Sequence, residues 1–405
     1  MPYPVRLFNR LLLIAFVLFF FFRCVLPNPK QNSEPTPQKL PEAPDAPIIA
    51  SFTKEALSSN DTTTDNSLQP LSDSTHILSQ KNVFLAKKID YYLRVYKPDH
   101  AIILVVDANS NEIISWGQRS EQEIQNTPYY LSQSTFPAAS LAKTITLAAA
   151  LESQKFFLDS PIPLIGRAHT LYKYQLQLPQ NAETNNISLQ EAYARSYNPP
   201  FGIVGIQLGA KHLSAAASKL GFNTSYPSNI PENSNYYAPE SDFEIAEVAS
   251  GFTKKTTLSP LLAAAQIRAI LKKDALKIPT AENLLPYAPI QSEEIKDSKF
   301  EEKTYEGLQN AMMHTISNGT AQKNFSTRFL AKRFKERLDL GGKTGSLDGL
   351  EPKGRYEWFA GFAHDPLTDE GIVLVIMQVH QDIRTQAATQ IASLLINIWA
   401  KEFLE

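Results

Sequence analysis

The chain has 405 residues, with 39 Lys and Arg against 41 Asp and Glu, and a net charge of -2. No long basic run exists, so a nucleic-acid partner has no electrostatic footprint, and a lone Cys24 excludes an internal disulfide. Its 7 His show neither HxH nor HxxxH spacing, so neither a metal nor another cofactor is expected, and a hydrophobic content of 43% supports a sizeable core.

The amino terminus opens on an apolar run, Leu11 to Phe22, interrupted by Arg23 and prolonged by Val25 and Leu26. Arg6 and Arg10 precede it and favour a cytoplasmic tail over residues 1–10. No small-residue cleavage site follows, so residues 11–26 read as an uncleaved signal anchor, short of the ~20 residues of a full span. Residues 27–80 read as a disordered tether. Seven prolines from Pro27 to Pro47 punctuate its first half, and Ser, Thr, Asn and Asp fill the rest. A coil of that length reaches about 40 Å.

From residue 81 onward the pattern is globular. Val83–Val95 has helical spacing; Ala101–Val106 and Glu112–Trp116 read as strands joined by a turn at residues 107–111. Pro137–Glu152 reads as one helix, and residues 160–330 as mostly helical segments with loops. Leu338–Ser346, Tyr356–Ala363 and Gly371–Val379 are strand candidates, and Gln386–Glu402 is a closing amphipathic helix. Strands therefore bracket a helical insert. The expected fold class is α+β: an antiparallel sheet sandwiched by helices, with a mostly helical subdomain, in one unit over residues 81–405.

Three short motifs carry chemistry. The first, Ser140-Leu-Ala-Lys143, puts a hydroxyl and an amine at i and i+3 on one helix face. Serine needs a base to act as a nucleophile, and lysine can serve once its pKa is depressed by burial or by a nearby cation. The second, Ser196-Tyr-Asn198, follows a helical run; Pro199-Pro200 is expected to force a loop that presents Ser196 and Asn198 on a turn. Ser196 can relay a proton, and Asn198 can hold a substrate amide. The third, Lys343-Thr-Gly-Ser346, ends a candidate strand, where Lys343, Thr344 and Ser346 offer a cation and two hydroxyls to a carboxylate. Gly345 lets an extended substrate approach the strand. The backbone N–H groups of Ser140 and Ser346 are candidates for an oxyanion hole. Each motif alone is more often a plain helix start, Asn turn or strand end. Ser51-Phe-Thr-Lys54 and Ser58-Ser-Asn60 also fit the first two patterns, but lie in the polar stretch.

Together, in this order, the motifs resemble the transpeptidase domain of penicillin-binding proteins over roughly residues 85–400. Four further stretches support the resemblance: Ile187–Asn198, Asn318-Gly-Thr-Ala321, Trp358-Phe-Ala-Gly-Phe362 and Leu258-Ser-Pro-Leu261. Two departures stand out: Pro137-Ala-Ala-Ser140 in place of the commoner Pro-Gly-Ser, and Ser346 where threonine is usual. The resemblance implies Ser140 as acylated nucleophile, Lys143 as base, Ser196 as proton shuttle and Lys343 as carboxylate anchor.

It further implies a monofunctional D,D-transpeptidase that cross-links peptidoglycan stem peptides ending in D-Ala-D-Ala and is acylated by β-lactam antibiotics. Such an enzyme is expected on the outer side of a bacterial cytoplasmic membrane, single-pass, beside a separate glycan polymerase. Three alternatives stay open: a D,D-carboxypeptidase, a β-lactamase, and a non-catalytic penicillin-binding sensor. Against the β-lactamase, no Glu-x-x-Leu-Asn segment lies between the second and third motifs, and Asn198 stands where one class has Val.

Overall fold

The computed structural model describes residues 76–80, 82–120, 130–177, 185–224, 234–280 and 294–405, the first of these by backbone alone. The expected tail, anchor and most of the tether, residues 1–75, lie outside the described residues. Among the described residues no helix is long and apolar enough to cross a membrane, and no group of three or more His, Cys, Asp or Glu could hold a metal ion.

A six-stranded sheet forms the spine. Its strands are β1 (His76–Gln80), β2 (His100–Asp107), β3 (Ile113–Ser120), β6 (Asp339–Leu350), β7 (Lys353–His364) and β8 (Gly371–His380). Their spatial order is β1-β3-β2-β8-β7-β6, and every pairing is antiparallel. Residues 76–120 and residues 339–405, from opposite ends of the globular unit, thus meet at the β2–β8 pair, where His100–Asp107 runs against Val379–Ile372. A short ribbon, β4 (Pro161–Pro163) with β5 (Asn186–Ser188), lies apart from the sheet.

Residue parity along the central strands explains the layers, because successive strand side chains point to opposite faces. Ile102, Leu104, Val106, Val373, Val375 and Met377 join one core; Ile103, Val105, Ile372, Leu374 and Ile376 join another. Every residue of β8 is buried, which is why Gly371–Val379 reads as a continuous apolar run rather than an alternating one. Helix α1 (Val83–Tyr96) and the last helix, α10 (Ala388–Phe403), cover one face with Leu85, Ile89, Leu93, Ile391, Leu395 and Trp399. Each such fully buried side chain contributes about 1.5–3 kcal/mol relative to exposure.

The other face carries the helical insert: α2 (Lys143–Glu152), α3 (Leu189–Ala194), α4 (Asn198–Leu208), α5 (Ala210–Lys219), α6 (Asp242–Ser250), α7 (Pro260–Lys272) and α8 (Glu302–Ser317). A short α9 (Lys332–Arg337) leads back into β6. The expected α+β architecture with sheet and flanking helices is the one observed.

Four local expectations are corrected. Pro199-Pro200 do not force a loop; they occupy the first turn of α4, where a missing N–H is harmless and a fixed φ favours the helix. Pro137–Glu152 is not one helix: Ala139–Ala142 is a 3₁₀ turn that feeds α2. The globular unit does not begin at residue 81, because His76–Gln80 of the expected tether is the edge strand β1, paired to β3. Finally, β6 runs past Ser346 to Leu350 and pairs with β7 throughout.

Candidate active site

The first motif sits where the 3₁₀ turn meets α2. Ala139, just before Ser140, has φ +48°, a left-handed conformation that costs an Ala about 1–2 kcal/mol. Ser196 is likewise left-handed, at φ +60°. Two strained non-glycine residues at two motif serines are the pattern expected where packing overrides local preference.

Lys143 is fully buried. Its Nζ lies 2.9 Å from Ser140 Oγ, 2.8 Å from Asn198 Oδ1 and 2.5 Å from the Ser250 carbonyl. A backbone carbonyl can only accept, and so can Asn198 Oδ1, whose orientation is set by Asn198 Nδ2 donating to the His169 carbonyl at 3.0 Å. Two N–H bonds of a neutral amine go to those two oxygens. The remaining lone pair then faces the Ser140 hydroxyl. Burial, and next the neighbouring Lys343, push the Lys143 pKa well below 10.5. Phe201 covers the amine from 5.7 Å. Geometry and electrostatics both favour the neutral amine at Lys143, beside the Ser140 hydroxyl.

The second and third motifs pair with each other. Lys343 is fully buried on β6, and its Nζ lies 2.9 Å from both Ser196 Oγ and the Thr344 carbonyl. Burial lowers its pKa to about 7. Its amine therefore backs Ser196. Thr344 and Ser346 lie nearer solvent. Thr344 Oγ1 is 2.6 Å from Thr320 Oγ1, which extends the row of hydroxyls beside the strand.

Two close approaches join these segments. A Cβ on Gly345 would lie 2.8 Å from Leu141 Cδ1 and 3.4 Å from the Ser140 nitrogen, so a bare backbone is needed where β6 passes the nucleophile. Gly251, the left-handed C-cap of α6, presses the Ala139 carbonyl so closely that a Cβ would come within 2.0 Å. That contact carries the Ser250 carbonyl to Lys143.

All eight residues singled out in the three motifs, Ser140, Lys143, Ser196, Asn198, Lys343, Thr344, Gly345 and Ser346, are thus gathered around one slot. Several participants escaped sequence reasoning: the Ser250 carbonyl, Gly251, Phe201 and His169. A glycine after the helical run Asp242–Ser250 was a readable helix stop. Nothing local, however, indicated that the last carbonyl of that helix would be spent on a lysine 107 positions away.

The penicillin binding protein transpeptidase domain family matches residues 101–397. The chain belongs to this family. No curated protein sequence matches it. Among solved structures, the transpeptidase fold resembles the D,D-transpeptidase domain of a peptidoglycan glycosyltransferase from Eggerthella lenta at TM-score 0.58 and 18% identity, covering 81% of this chain and 83% of that one. It also resembles penicillin-binding protein A from M. tuberculosis, solved as an imipenem acyl-enzyme complex, at TM-score 0.56 and 17% identity, with 79% of each chain covered. At these identities the likeness concerns the fold. For this transpeptidase-family member, the activity has to be argued from the slot itself.

Proposed function

We propose that the chain is a D,D-transpeptidase that joins peptidoglycan stem peptides through an acyl-enzyme on Ser140. The observation that carries this reading is the bond between the buried, neutral-leaning Lys143 Nζ and Ser140 Oγ at 2.9 Å. Lys143 takes the hydroxyl proton as Ser140 Oγ attacks the carbonyl of a terminal D-Ala-D-Ala bond. Ser196, backed by Lys343, passes a proton to the departing D-Ala nitrogen. The hydroxyls of Thr344 and Ser346 hold the terminal carboxylate, with Lys343 supplying charge from behind the strand. Asn198 orients Lys143. The N–H groups of Ser140 and Ser346 receive the developing oxyanion.

β-Lactams enter the same slot as acylating agents. The apolar run at residues 11–26 supports an anchored, single-pass enzyme facing outward.

The reading is tested in two steps. Labelled penicillin should attach to Ser140, located by mass spectrometry, and Ser140→Ala should lose the label while keeping its melting transition. A stem-peptide donor should then give cross-linked product only when an amine acceptor is supplied. Release of D-Ala into water alone moves the assignment to a carboxypeptidase. Turnover of penicillin within seconds moves it to a β-lactamase. Absence of any adduct on the folded protein favours a sensor.

A further inference from the structure

One titratable group at the slot belongs to none of the three motifs. His169 sits on the loop between β4 and β5, exposed as a residue but with its ring packed on one side against Tyr197. The loop is built around a buried amide. Gln175 is fully covered and donates from Nε2 to the carbonyls of Ile165 at 2.7 Å and Arg167 at 3.0 Å. Its Oε1 accepts from the Tyr172 N–H at 2.9 Å and the Thr170 hydroxyl at 3.1 Å. All four hydrogen-bonding positions of the amide are used, so the segment bearing His169 is fixed in place.

That segment is also tied to the second motif. The Asn198 N–H donates to the Ala168 carbonyl at 2.7 Å, and Asn198 Nδ2 donates to the His169 carbonyl at 3.0 Å. The imidazole packs edge-on against Tyr197 at 5.5 Å between ring centroids and reaches the Ser196 backbone carbonyl. A short series of contacts thus leads from His169 through Asn198 to Lys143 and Ser140.

We propose that His169 is the proton acceptor for the incoming amine in the second half-reaction. This rests on the acyl-enzyme reading above. The acceptor arrives as an ammonium, which has no lone pair and cannot attack. Its proton passes to the imidazole, giving a neutral amine and an imidazolium. The amine lone pair forms the C–N bond at the acyl carbon, and the C–O bond to Ser140 breaks. The surplus proton on the new nitrogen goes through Lys143 to Ser140 Oγ, and the imidazolium returns its proton to solvent. Atoms and charge balance with no further reactant.

The ring is suited to this because its surroundings favour the neutral imidazole. Burial lowers its pKa first and Lys143 second; the Ser196 carbonyl opposes, and Lys343 lowers it further. Those two lysines, the Tyr197 ring and the Ser196 backbone carbonyl are the groups that act on it from the elements packed against it. Arg167 and Lys173 are the nearby charges on its own loop. A permanent cation at this place would repel the acceptor ammonium, whereas a neutral imidazole accepts from it.

The test starts from acyl-enzyme already formed on the full chain, so any change in acylation cancels. Wild type and His169→Gln are acylated with a stem-peptide thioester, then given water or a glycine-amide acceptor across pH 6 to 10. The readout is the ratio of aminolysis to hydrolysis. His169→Gln should lower that ratio about 10-fold or more near pH 7. The deficit should close at high pH, where the free acceptor is already neutral. A pH-independent loss would mean that His169 only shapes the loop, and an unchanged ratio at pH 7 would mean that it has no part; either overturns the proposal. His169→Lys, cationic at pH 7, should be at least as impaired as His169→Gln, and a wild-type ratio in it would also overturn the idea. If wild type forms no acyl-enzyme at all, the acyl-enzyme reading fails first, and the experiment separates the two failures.

Discussion

Lys343 Nζ and Ser196 Oγ are hydrogen-bonded at 2.9 Å across 147 positions of sequence. The bond runs from the sheet to the helical insert and makes Ser196 and Lys343 a second hydroxyl–amine pair beside Ser140 and Lys143. Two lysines so close, both fully buried, cannot both carry full charge without large cost. The site is thus tuned mainly by desolvation, with the charge of Lys343 adding to the effect at Lys143.

Lys143→Arg should slow acylation by penicillin about 10²–10⁴-fold although formal charge is kept, because guanidinium does not give up its proton. Stopped-flow or gel-based labelling rates decide it. A rate near that of wild type would remove Lys143 from the role of base.

Lys343→Met should change the pH dependence of stability in a defined direction. The folded-state pKa of Lys343 is about 7 against 10.5 in the open chain. Between those values the unfolded chain holds a proton that the folded chain has released, so wild-type stability rises with pH through that window. Below pH 7 both states are protonated and the full cost of burying the charge is present. The stability of wild type relative to Lys343→Met should therefore improve from pH 7 toward pH 9 by up to about 1.4 kcal/mol per unit. Denaturant melts at pH 6, 7, 8 and 9 measure it, and a flat difference sinks the argument. The same variant removes a cation that lowers the Lys143 pKa, so any residual acylation should show its acid limb at higher pH.

Gly251→Ala should cost both stability and labelling rate, because its Cβ would meet the Ala139 carbonyl at 2.0 Å in a backbone at φ +66°. Gly209→Ala is the control. At φ +78° and ψ 161°, with nothing within 4 Å, it should lose only the backbone strain of that glycine-favouring region, about 1–3 kcal/mol, and label normally. Equal effects at the two glycines would show that the Gly251 contact does not position the nucleophile.

Removal of residues 1–66 should leave penicillin labelling and melting temperature intact, whereas removal of residues 1–81 deletes β1 and exposes the edge of β3. The shorter chain should melt lower and associate at high concentration, as judged by calorimetry and light scattering. Identical behaviour would mean that β1 adds nothing.

The strands β2, β7 and β8 were readable because each is a run of apolar residues bounded by turn signals. The first and last helices were readable from their amphipathic period. The three motifs located the slot, since a serine, a lysine and a Gly-flanked strand end each carry local signatures. What stayed hidden was set by contacts distant in sequence. His76–Gln80 is polar, short and indistinguishable from the Ser/Thr-rich stretch before it; only pairing with β3 makes it a strand. Pro199-Pro200 read as a break because proline stops helices from within, yet it also starts them. Lys343 read as a ligand for substrate carboxylate, but the fold buries it and directs it at Ser196, a pairing that no local window contains. His169 lay in a loop with no periodicity, and its place at the rim follows from the buried Gln175 and from Asn198.

The contact of Gly251 with Ala139, described above as a packing constraint, also bears on when the protein becomes reactive. The contacts around Ser140 and Lys143 are complete only when α2, the turn before α4, the end of α6 and the middle of β6 have all docked. These come from four separated stretches, and the last lies near the carboxyl end. An incomplete chain, or one whose sheet has not closed through β8, carries the same serine but not its base. On the proposed acyl-enzyme reading, reactivity toward a β-lactam is therefore acquired only with the final topology, and a covalent label would count native molecules rather than total protein.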